Sequence, residues 1–212
     1  MDKQIEILKN VCKMFHKYGI KSVTMDDIAR ELGISKKTLY TFFKDKNELV
    51  KKSVEFAGQN THHSNLEKEF KKSKNAIEQL IFIYITGYQL ADEFNFSYEY
   101  DLKKYYPAIF SQYHKTRREK LYTGVYENLK QGINEGLFNN DFNPEIIALI
   151  HTSKIECLME NSILRDSKFD MKDIFKQMFY YHLRAISTPK GIKFFEEKIK
   201  DLDSFYKLKI NK

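Results

Sequence analysis

Apolar residues recur at three- and four-residue steps from the start of the chain, which is the spacing of one face of an α-helix. The first such segment places four apolar side chains on a common face: Ile5, Leu8, Cys12 and Phe15. Gly19 follows the segment and is suited to the left-handed conformation that ends many helices. The pattern therefore predicts a first helix over residues 2–18, with these four side chains on its buried face.

Two short helices joined by a tight turn are predicted next. Thr24 and Asp27 have the spacing of a capping pair, Gly33 suits a turn with positive φ, and Ser35 suits the N-cap of the following helix. The inward positions of the two helices are apolar: Met25, Ile28, Ala29, Leu32, Leu39, Phe42 and Phe43. The opposite arc of the second short helix carries polar and basic residues: Lys36, Lys37, Tyr40 and Thr41. One arc is thus predicted to be core, and the other is free to contact a partner.

Longer helical segments follow. Asp45 and Glu48 form the capping pair of a fourth helix, with Lys46 in its first turn. Later segments are predicted to start at Ser73, to end at Pro107 and Gly136, and to start again at Asn143 and Asp170, with an amphipathic tail beyond Pro189. With only eight Gly and three Pro in 212 residues, the chain has little material for a turn-rich β fold. We predict an all-α fold.

Positive charge is concentrated at the N-terminal end. The formal net charge is +7, and residues 1–52 alone hold twelve basic and seven acidic residues. This balance favours a polyanionic partner. There is no secretory apolar stretch and no window of about 20 apolar residues, so we expect a cytoplasmic protein that does not insert into a membrane.

Enzyme motifs are missing from the sequence. There is no glycine-rich phosphate loop, no Gly-x-Ser-x-Gly elbow and no zinc-binding His/Glu spacing, so we expect neither catalysis nor a cofactor. His62 and His63 are adjacent and would point about 100° apart on a helix, which does not suit a shared metal. His114 and His182 are isolated in sequence, and His151 has no suitably spaced partner, so no metal site is predicted. Cys12 and Cys157 are interpreted as small buried apolar residues.

The spacing of Ala29, Gly33 and the surrounding apolar residues is that of a helix-turn-helix. A small residue lets the helices approach, the glycine makes the turn, and the apolar set holds the second helix at its angle. The alternative interpretation is an ordinary structural corner. Such a corner has no need of outward basic residues, so Lys36 and Lys37 favour a nucleic-acid-binding role.

The run from Gly19 to Leu49 resembles the DNA-binding domain of the TetR family of transcriptional regulators. The most specific matches are Thr-Leu-Tyr at 38–40 and Phe-Lys-Asp-Lys at 43–46. The resemblance implies a DNA-binding domain of three helices over residues 1–50 and a larger helical ligand-binding and dimerisation domain over residues 51–212. It also implies a homodimer, most often a repressor, that binds a palindromic double-stranded operator and is released by a small-molecule inducer.

The same resemblance assigns roles to individual residues. Lys36, Lys37, Thr38 and Thr41 would face the major groove, and Tyr40 and Lys46 would hold phosphates, with Thr24 also at the DNA backbone. The implied DNA-binding set is Thr24, Ser35, Lys36, Lys37, Thr38, Tyr40, Thr41 and Lys46. The sequence does not decide whether Lys36 or Lys37 reads bases. Phe42 departs from the family, which often has histidine or tyrosine there, and we interpret Phe42 as core.

Aromatic residues are clustered between Phe82 and Tyr113. They would line a partly apolar ligand pocket with hydroxyl groups to orient the ligand, or they would simply pack a core. As pocket walls we predict Tyr84, Tyr88 and Tyr105. The apolar stripes of residues 143–164 and 170–187 are assigned to a dimer interface by analogy with the family, and intramolecular packing is the alternative. A structural, sequence-tolerant chromosome-binding protein without a ligand is the competing functional hypothesis.

Overall fold

The computed structural model describes residues 3–60, 70, 72–91, 96–160 and 167–210, without the side chains of 59–60, 87–91, 96, 159–160 and 200–210. The regular secondary structure of these residues consists of α-helices and one isolated β-bridge, which joins Phe138 and Ser187. The all-α prediction is confirmed. The helices are α1 (Lys3–Tyr18), α2 (Met25–Glu31), α3 (Lys36–Phe42), α4 (Lys46–Asn60), α5 (Ala76–Ala91), α6 (Phe96–Tyr105), α7 (Pro107–Asn134), α8 (Pro144–Glu160), α9 (Met171–Ile186) and α10 (Pro189–Ile210).

The helices form two compact units. Unit 1 comprises residues 1–67 and 94–117, and unit 2 comprises residues 68–93 and 118–212. Unit 1 therefore extends past residue 50, because it includes α4 and also α6 with the first part of α7. The boundary between the two compact units therefore does not coincide with residue 50. The assignment of ligand binding and dimerisation to residues 51–212 stays a prediction.

The buried face of α1 differs from the predicted one. Leu8 and Phe15 are buried as expected, whereas Ile5 is 43% exposed and Cys12 is only partly buried. The core positions are taken instead by three residues that the pattern did not select: Ile7, Val11 and Met14. The face rotates in this way because α1 packs against both α4 and α6, which requires a wider apolar arc. Gly19 ends the helix at φ +82°, as predicted.

Unit 1 has its own hydrophobic core. Its largest fully buried side chains come from α1, the α1–α2 loop and the three following helices: Phe15, Ile20, Ile28, Leu39, Phe43 and Leu49. Leu102 of α6 belongs to the same core and is 0% exposed. Burying one such side chain stabilises a fold by about 1.5–3 kcal/mol, so the core holds the short helices α2 and α3 at a fixed angle.

Unit 2 is built on α5, which packs against α9 and α10. Asn75 rather than Ser73 caps α5, since its side-chain oxygen accepts a 2.9 Å hydrogen bond from the Glu78 N–H. The buried amide of Asn128 donates to the carbonyl oxygen of Ala76 at 2.9 Å and joins α7 to the start of α5. Asp170 caps α9 as predicted.

The two cysteines occupy different environments. The Cys12 thiol is partly buried and donates to the carbonyl oxygen of Ser53 at 3.3 Å, and burial raises its pKa to about 12. Cys157 is exposed, so its interpretation as a buried residue was wrong. It lies on α8.

Candidate nucleic-acid interface

The start of α2 is held by a complete capping box. The Thr24 hydroxyl oxygen accepts from the Asp27 N–H at 3.1 Å, and the Asp27 carboxylate accepts from the Thr24 N–H at 3.0 Å. The same carboxylate accepts the Thr24 O–H at 2.6 Å. These hydrogen bonds lower the pKa of Asp27 below its usual range. The predicted cap is thus present, and the Thr24 hydroxyl proton is used within it.

The turn between α2 and α3 is made by Gly33, which has φ +62°. Backbone hydrogen bonds close the turn, with Gly33 N–H donating to the Arg30 oxygen at 3.2 Å and Ile34 N–H to the Ala29 oxygen at 3.0 Å. Ala29 is 5% exposed and Leu39 is 0% exposed, and both belong to the hydrophobic core of unit 1. The structure therefore contains the helix-turn-helix that the spacing predicted.

The two arcs of α3 separate as predicted. Leu39 is fully buried, and Phe42 packs against the core of unit 1, in agreement with its interpretation as core. Tyr40 is 43% exposed, and the other residues of the outward arc are also exposed: Lys36, Lys37 and Thr41. Unit 1 thus presents a basic and polar helix face to solvent.

Three hydroxyl groups on α3 and its cap are engaged within the helix. Ser35 accepts from the Thr38 N–H at 3.0 Å, and the two side-chain oxygens lie 2.8 Å apart. The Thr41 hydroxyl donates to the Thr38 carbonyl oxygen at 2.6 Å. Thr38 is partly buried. These contacts fix the first turn of α3, and they leave Thr38 less accessible than its neighbours on the outward arc.

The structure distinguishes the two lysines that the sequence left equivalent. The Lys36 ammonium lies 2.9 Å from a carboxylate oxygen of Asp26 on α2, and this pairing raises the pKa of Lys36. No described residue forms an ion pair or hydrogen bond with the ammonium of Lys37. Both Lys36 and Asp26 are largely exposed, so their ion pair contributes little stability and is easily exchanged.

The N-terminus of α4 is capped from both directions. The Asp45 carboxylate accepts from the Glu48 N–H at 2.8 Å, and the Glu48 carboxylate accepts from the Lys44 N–H at 2.6 Å. Lys46 is in the first turn, and its ammonium donates to the Lys21 carbonyl oxygen at 3.3 Å. Partial burial lowers the pKa of Lys46. A cation thus lies beside the first amides of α4, where phosphates commonly bind.

Comparison with known proteins agrees with this geometry. Residues 7–52 match the family model described as bacterial regulatory proteins, tetR family. This match covers most of α1, the helix-turn-helix and the start of α4. Residues 7–52 therefore form a DNA-binding domain of the TetR type, with its helix-turn-helix at α2 and α3.

Individual relatives and solved structures match to different extents. The uncharacterized HTH-type transcriptional regulator YhgD of Bacillus subtilis is 43% identical over 49 residues, which is 23% of this chain and 26% of YhgD. The HTH-type transcriptional regulator AcrR of Shigella flexneri is 24% identical over 173 residues, covering 78% of this chain and 80% of AcrR. A putative transcriptional regulator from Saccharomonospora viridis, solved in complex with choline, is 16% identical, covers 88% of this chain and 98% of its own, and has a TM-score of 0.68. The last likeness shows a shared fold.

The sequence did not predict contacts between α6 and the loop that precedes the helix-turn-helix. The Lys21 N–H donates to the Asp101 carboxylate at 2.8 Å, and the Lys21 ammonium donates to the Tyr105 phenol oxygen at 2.9 Å. Lys21 and Tyr105 are 84 residues apart, so no local pattern relates them. The sequence does contain one indication that part of the tyrosine-rich stretch is on the surface, because Lys103 and Lys104 lie within it.

The three predicted ligand-wall residues fall in different environments. Tyr84 stacks on Phe179 with ring centroids 4.4 Å apart and packs against the core of unit 2. Tyr105 belongs to unit 1, is 38% exposed and hydrogen-bonds Lys21, which differs from the expectation of a pocket wall. Tyr88 lies in α5, but its side chain is outside those described. The ligand-binding role of Tyr84, Tyr88 and Tyr105 stays a prediction.

Histidine positions correct one sequence interpretation. His182 is not isolated, because its ring lies 3.9 Å from that of His151, centroid to centroid, inside unit 2. His114 is also partnered, with Nε2 3.1 Å from a carboxylate oxygen of Glu99. His62 and His63 lie outside the described residues. Within the described ranges, no three metal-ligating side chains come together, and no helix has the length and hydropathy to cross a membrane.

Proposed function

We propose that this chain is a transcriptional regulator of the TetR type that acts as a homodimer, binds a palindromic operator and is released by a small-molecule inducer. The observation that carries the proposal is the exposed basic face of α3, set opposite the fully buried Leu39 in a doubly capped helix-turn-helix. A single helix-turn-helix reads too few base pairs for useful specificity. Two copies spanning half-sites about 34–36 Å apart are the usual solution.

Of the two lysines on the outward arc of α3, we assign the contact with base edges in the major groove to Lys37. Its ammonium is not held by any described residue, whereas that of Lys36 is paired with Asp26. A lysine aimed at a guanine edge discriminates between bases, whereas a paired lysine must first leave its carboxylate. Thr41 is exposed beside Lys37 on the same face and completes the groove-facing set.

Phosphate contacts are assigned to Tyr40 and Lys46. Tyr40 is 43% exposed at the edge of the outward arc, and Lys46 lies beside the first amides of α4. Ser35 and Thr24 cap α3 and α2, so they position these helix starts near the DNA backbone. Phosphate contacts fix the register of the protein on the duplex without reading sequence.

Dimerisation is assigned to α8 and α9. Three apolar residues of α8 at i, i+3 and i+4 spacing are 56%, 62% and 47% exposed: Ile146, Leu149 and Ile150. On α9, Tyr181 is 69% exposed. An apolar stripe of this kind is typical of a helix that packs against another copy.

Release by a small molecule is supported by analogy, because the Saccharomonospora viridis protein was solved in complex with choline.

The first experiment tests sequence specificity. Fragments from the source genome are selected on the purified protein, and affinities for the selected site and a random duplex are compared at one salt concentration by fluorescence anisotropy. A regulator should show a ratio of about 10³ or more. A ratio near one would refute the operator hypothesis and favour a sequence-tolerant chromosome-binding protein.

The residue roles are tested with alanine variants in the same assay. Tyr40→Ala and Lys46→Ala should weaken binding to the selected site and to random DNA alike, whereas Lys37→Ala should change base preference at one position of each half-site. Lys193→Ala removes an exposed lysine from unit 2 and is the matched control. A Lys37 variant that loses affinity equally for all sequences would contradict the assignment of Lys37.

The dimer is tested by sedimentation. Leu149→Glu introduces a charge into the exposed stripe and should shift the protein toward the monomer and lower its affinity for the selected site. Lys193→Glu, which also changes charge on the surface of unit 2, should leave the sedimentation coefficient unchanged. A Leu149→Glu variant that still sediments as the unaltered chain does would place the interface elsewhere.

A further inference from the structure

A group of lysine and tyrosine side chains extends from the helix-turn-helix along α6. We call Lys21, Tyr100, Lys104 and Tyr105 the lysine–tyrosine patch. The Lys21 ammonium donates to the Tyr105 oxygen at 2.9 Å and lies 4.5 Å from the Tyr105 ring centroid. The Lys104 ammonium donates to the Tyr100 oxygen at 2.9 Å and lies 5.2 Å and 5.4 Å from the ring centroids of Tyr100 and Tyr105. The four side chains therefore form one connected surface.

The patch is exposed and cationic. Tyr100 is 58% exposed and Tyr105 38%, and Lys21 and Lys104 are also exposed. Among the described residues, no carboxylate lies within ion-pair distance of either ammonium, in contrast to the pair formed by Lys36. The nearby Asp101 carboxylate accepts from the backbone N–H of Lys21 instead. The hydrogen bond from Lys21 lowers the pKa of Tyr105, which reflects the positive field at this surface.

The patch is continuous with the DNA-binding elements. The carbonyl oxygen of Lys21 accepts from the ammonium of Lys46, which lies in the first turn of α4. All of these residues belong to unit 1. Continuity with the helix-turn-helix favours the DNA backbone as the occupant over an unrelated acidic partner. We propose that α6 widens the DNA-contacting surface of unit 1, with Lys104 and Lys21 each binding a backbone phosphate beside Tyr100 and Tyr105.

The chemistry of the patch fits phosphate oxygens. Lysine ammonium groups and tyrosine hydroxyls are common donors to DNA phosphates. Each phenol oxygen accepts a hydrogen bond from an ammonium, and each phenol can still donate its own O–H to a phosphate. The rings hold the lysine side chains in place by cation–π contacts, so fewer rotamers are lost when DNA binds. The inference rests on the proposed DNA-binding function and adds residues outside the helix-turn-helix to it.

The test uses the full chain and a random-sequence 30-base-pair duplex, so that no operator is needed. Affinity is measured by fluorescence anisotropy over a KCl series. Each phosphate contact that is lost should lower the slope of log K against log salt concentration by about 0.9. Lys104→Gln and Lys21→Gln keep most of the side-chain stem and should each reduce the slope by that amount. Lys104→Arg should retain it.

Controls separate a specific contact from a general loss of charge. Lys115→Gln removes an exposed lysine from the same unit, outside the patch, and should leave the slope unchanged. If Lys104→Gln behaves like Lys115→Gln while Lys46→Ala weakens binding, the inference about α6 is wrong and the proposed function stands. If the unaltered chain binds no duplex at low salt, the proposed function itself fails. Circular dichroism melting of each variant checks that unit 1 remains folded.

Discussion

Acidification from pH 7 to pH 5 should destabilise the protein through the imidazoles of His151 and His182. The two rings lie 3.9 Å apart, and His182 is only 4% exposed. Neither the Nδ1 of His151 nor the Nε2 of His182 has a hydrogen-bond partner in the described part of the chain. Both imidazoles are therefore held where a positive charge is poorly solvated.

Burial lowers the pKa of His151 to about 4 and that of His182 to about 3. The nearby Lys154 ammonium lowers both further, and the His151 ring also lowers that of His182. In the unfolded chain a histidine has a pKa of about 6.5. Below that pH the unfolded chain binds protons that the folded chain does not, so the free energy of unfolding falls with decreasing pH.

The expected size follows from the pH interval. Between pH 7 and pH 5 each histidine contributes a loss of about 2 kcal/mol, because the slope approaches about 1.36 kcal/mol per pH unit below pH 6.5. The two histidines together would lower the free energy of unfolding by about 4 kcal/mol.

The carboxylates affect stability in a different pH range. Asp27, Glu48 and Glu78 have lowered pKa values, so their stabilising contribution is present above about pH 4.5 and is lost only below it.

Urea unfolding at pH 7, 6 and 5 and at one protein concentration measures the effect. His182→Phe keeps an aromatic ring of similar size and should remove about half of the pH dependence in this interval. The double variant His151→Gln, His182→Phe should remove most of it. An unaltered chain with equal free energies of unfolding at pH 7 and pH 5, or a double variant that retains the full pH dependence, would refute the reasoning.

Three substitutions test the packing and caps of the fold by thermal and urea unfolding. Ala29→Leu inserts a larger side chain into the buried elbow and should cost about 1–3 kcal/mol, and an unchanged melting temperature would contradict the crossing of α2 and α3. Thr24→Ala removes the capping box and should cost about 1 kcal/mol, whereas Thr24→Ser should retain most of the stability. Gly191→Ala would place a Cβ in steric conflict with the Leu137 carbonyl oxygen and should destabilise unit 2, while Gly124→Ala, whose Cβ would meet no atom within 4 Å, should not.

The helix starts at Thr24, Ser35 and Asp170 could be predicted from the sequence because each depends on residues two or three positions apart. The hydroxyl or carboxylate at Thr24, Ser35 and Asp170 bonds an amide two or three residues ahead, so a short window contains the whole interaction. The outward arc of α3 was predictable for the same reason. Helix α3 has seven residues, of which Leu39 is the buried one, so helical geometry determines which residues lie on the opposite arc.

Contacts between distant helices could not be predicted in this way. Lys21 meets Tyr105 across 84 residues, and His151 meets His182 across two helices, so neither pair leaves a periodic pattern. The sequence left the aromatic cluster between Phe82 and Tyr113 as either a pocket wall or a packed core, because aromatic composition alone does not distinguish these environments from a surface. In the structure, Leu102 of this cluster's polar stretch enters the core of unit 1, and Tyr105 accepts a hydrogen bond from Lys21.

The short length of α3 links DNA recognition to the core of unit 1. A seven-residue helix is not stable in isolation, so its direction depends on Leu39, on the following Phe43 and on the Ser35 cap. Both apolar side chains are buried among residues of α1, α4 and α6. Any change that loosens this core should therefore alter the angle at which Lys37 and Tyr40 are presented, even when none of the residues proposed to contact DNA is substituted. Affinity for DNA and the stability of unit 1 should consequently fall together in core variants, whereas a variant of an exposed contact residue should lower affinity alone.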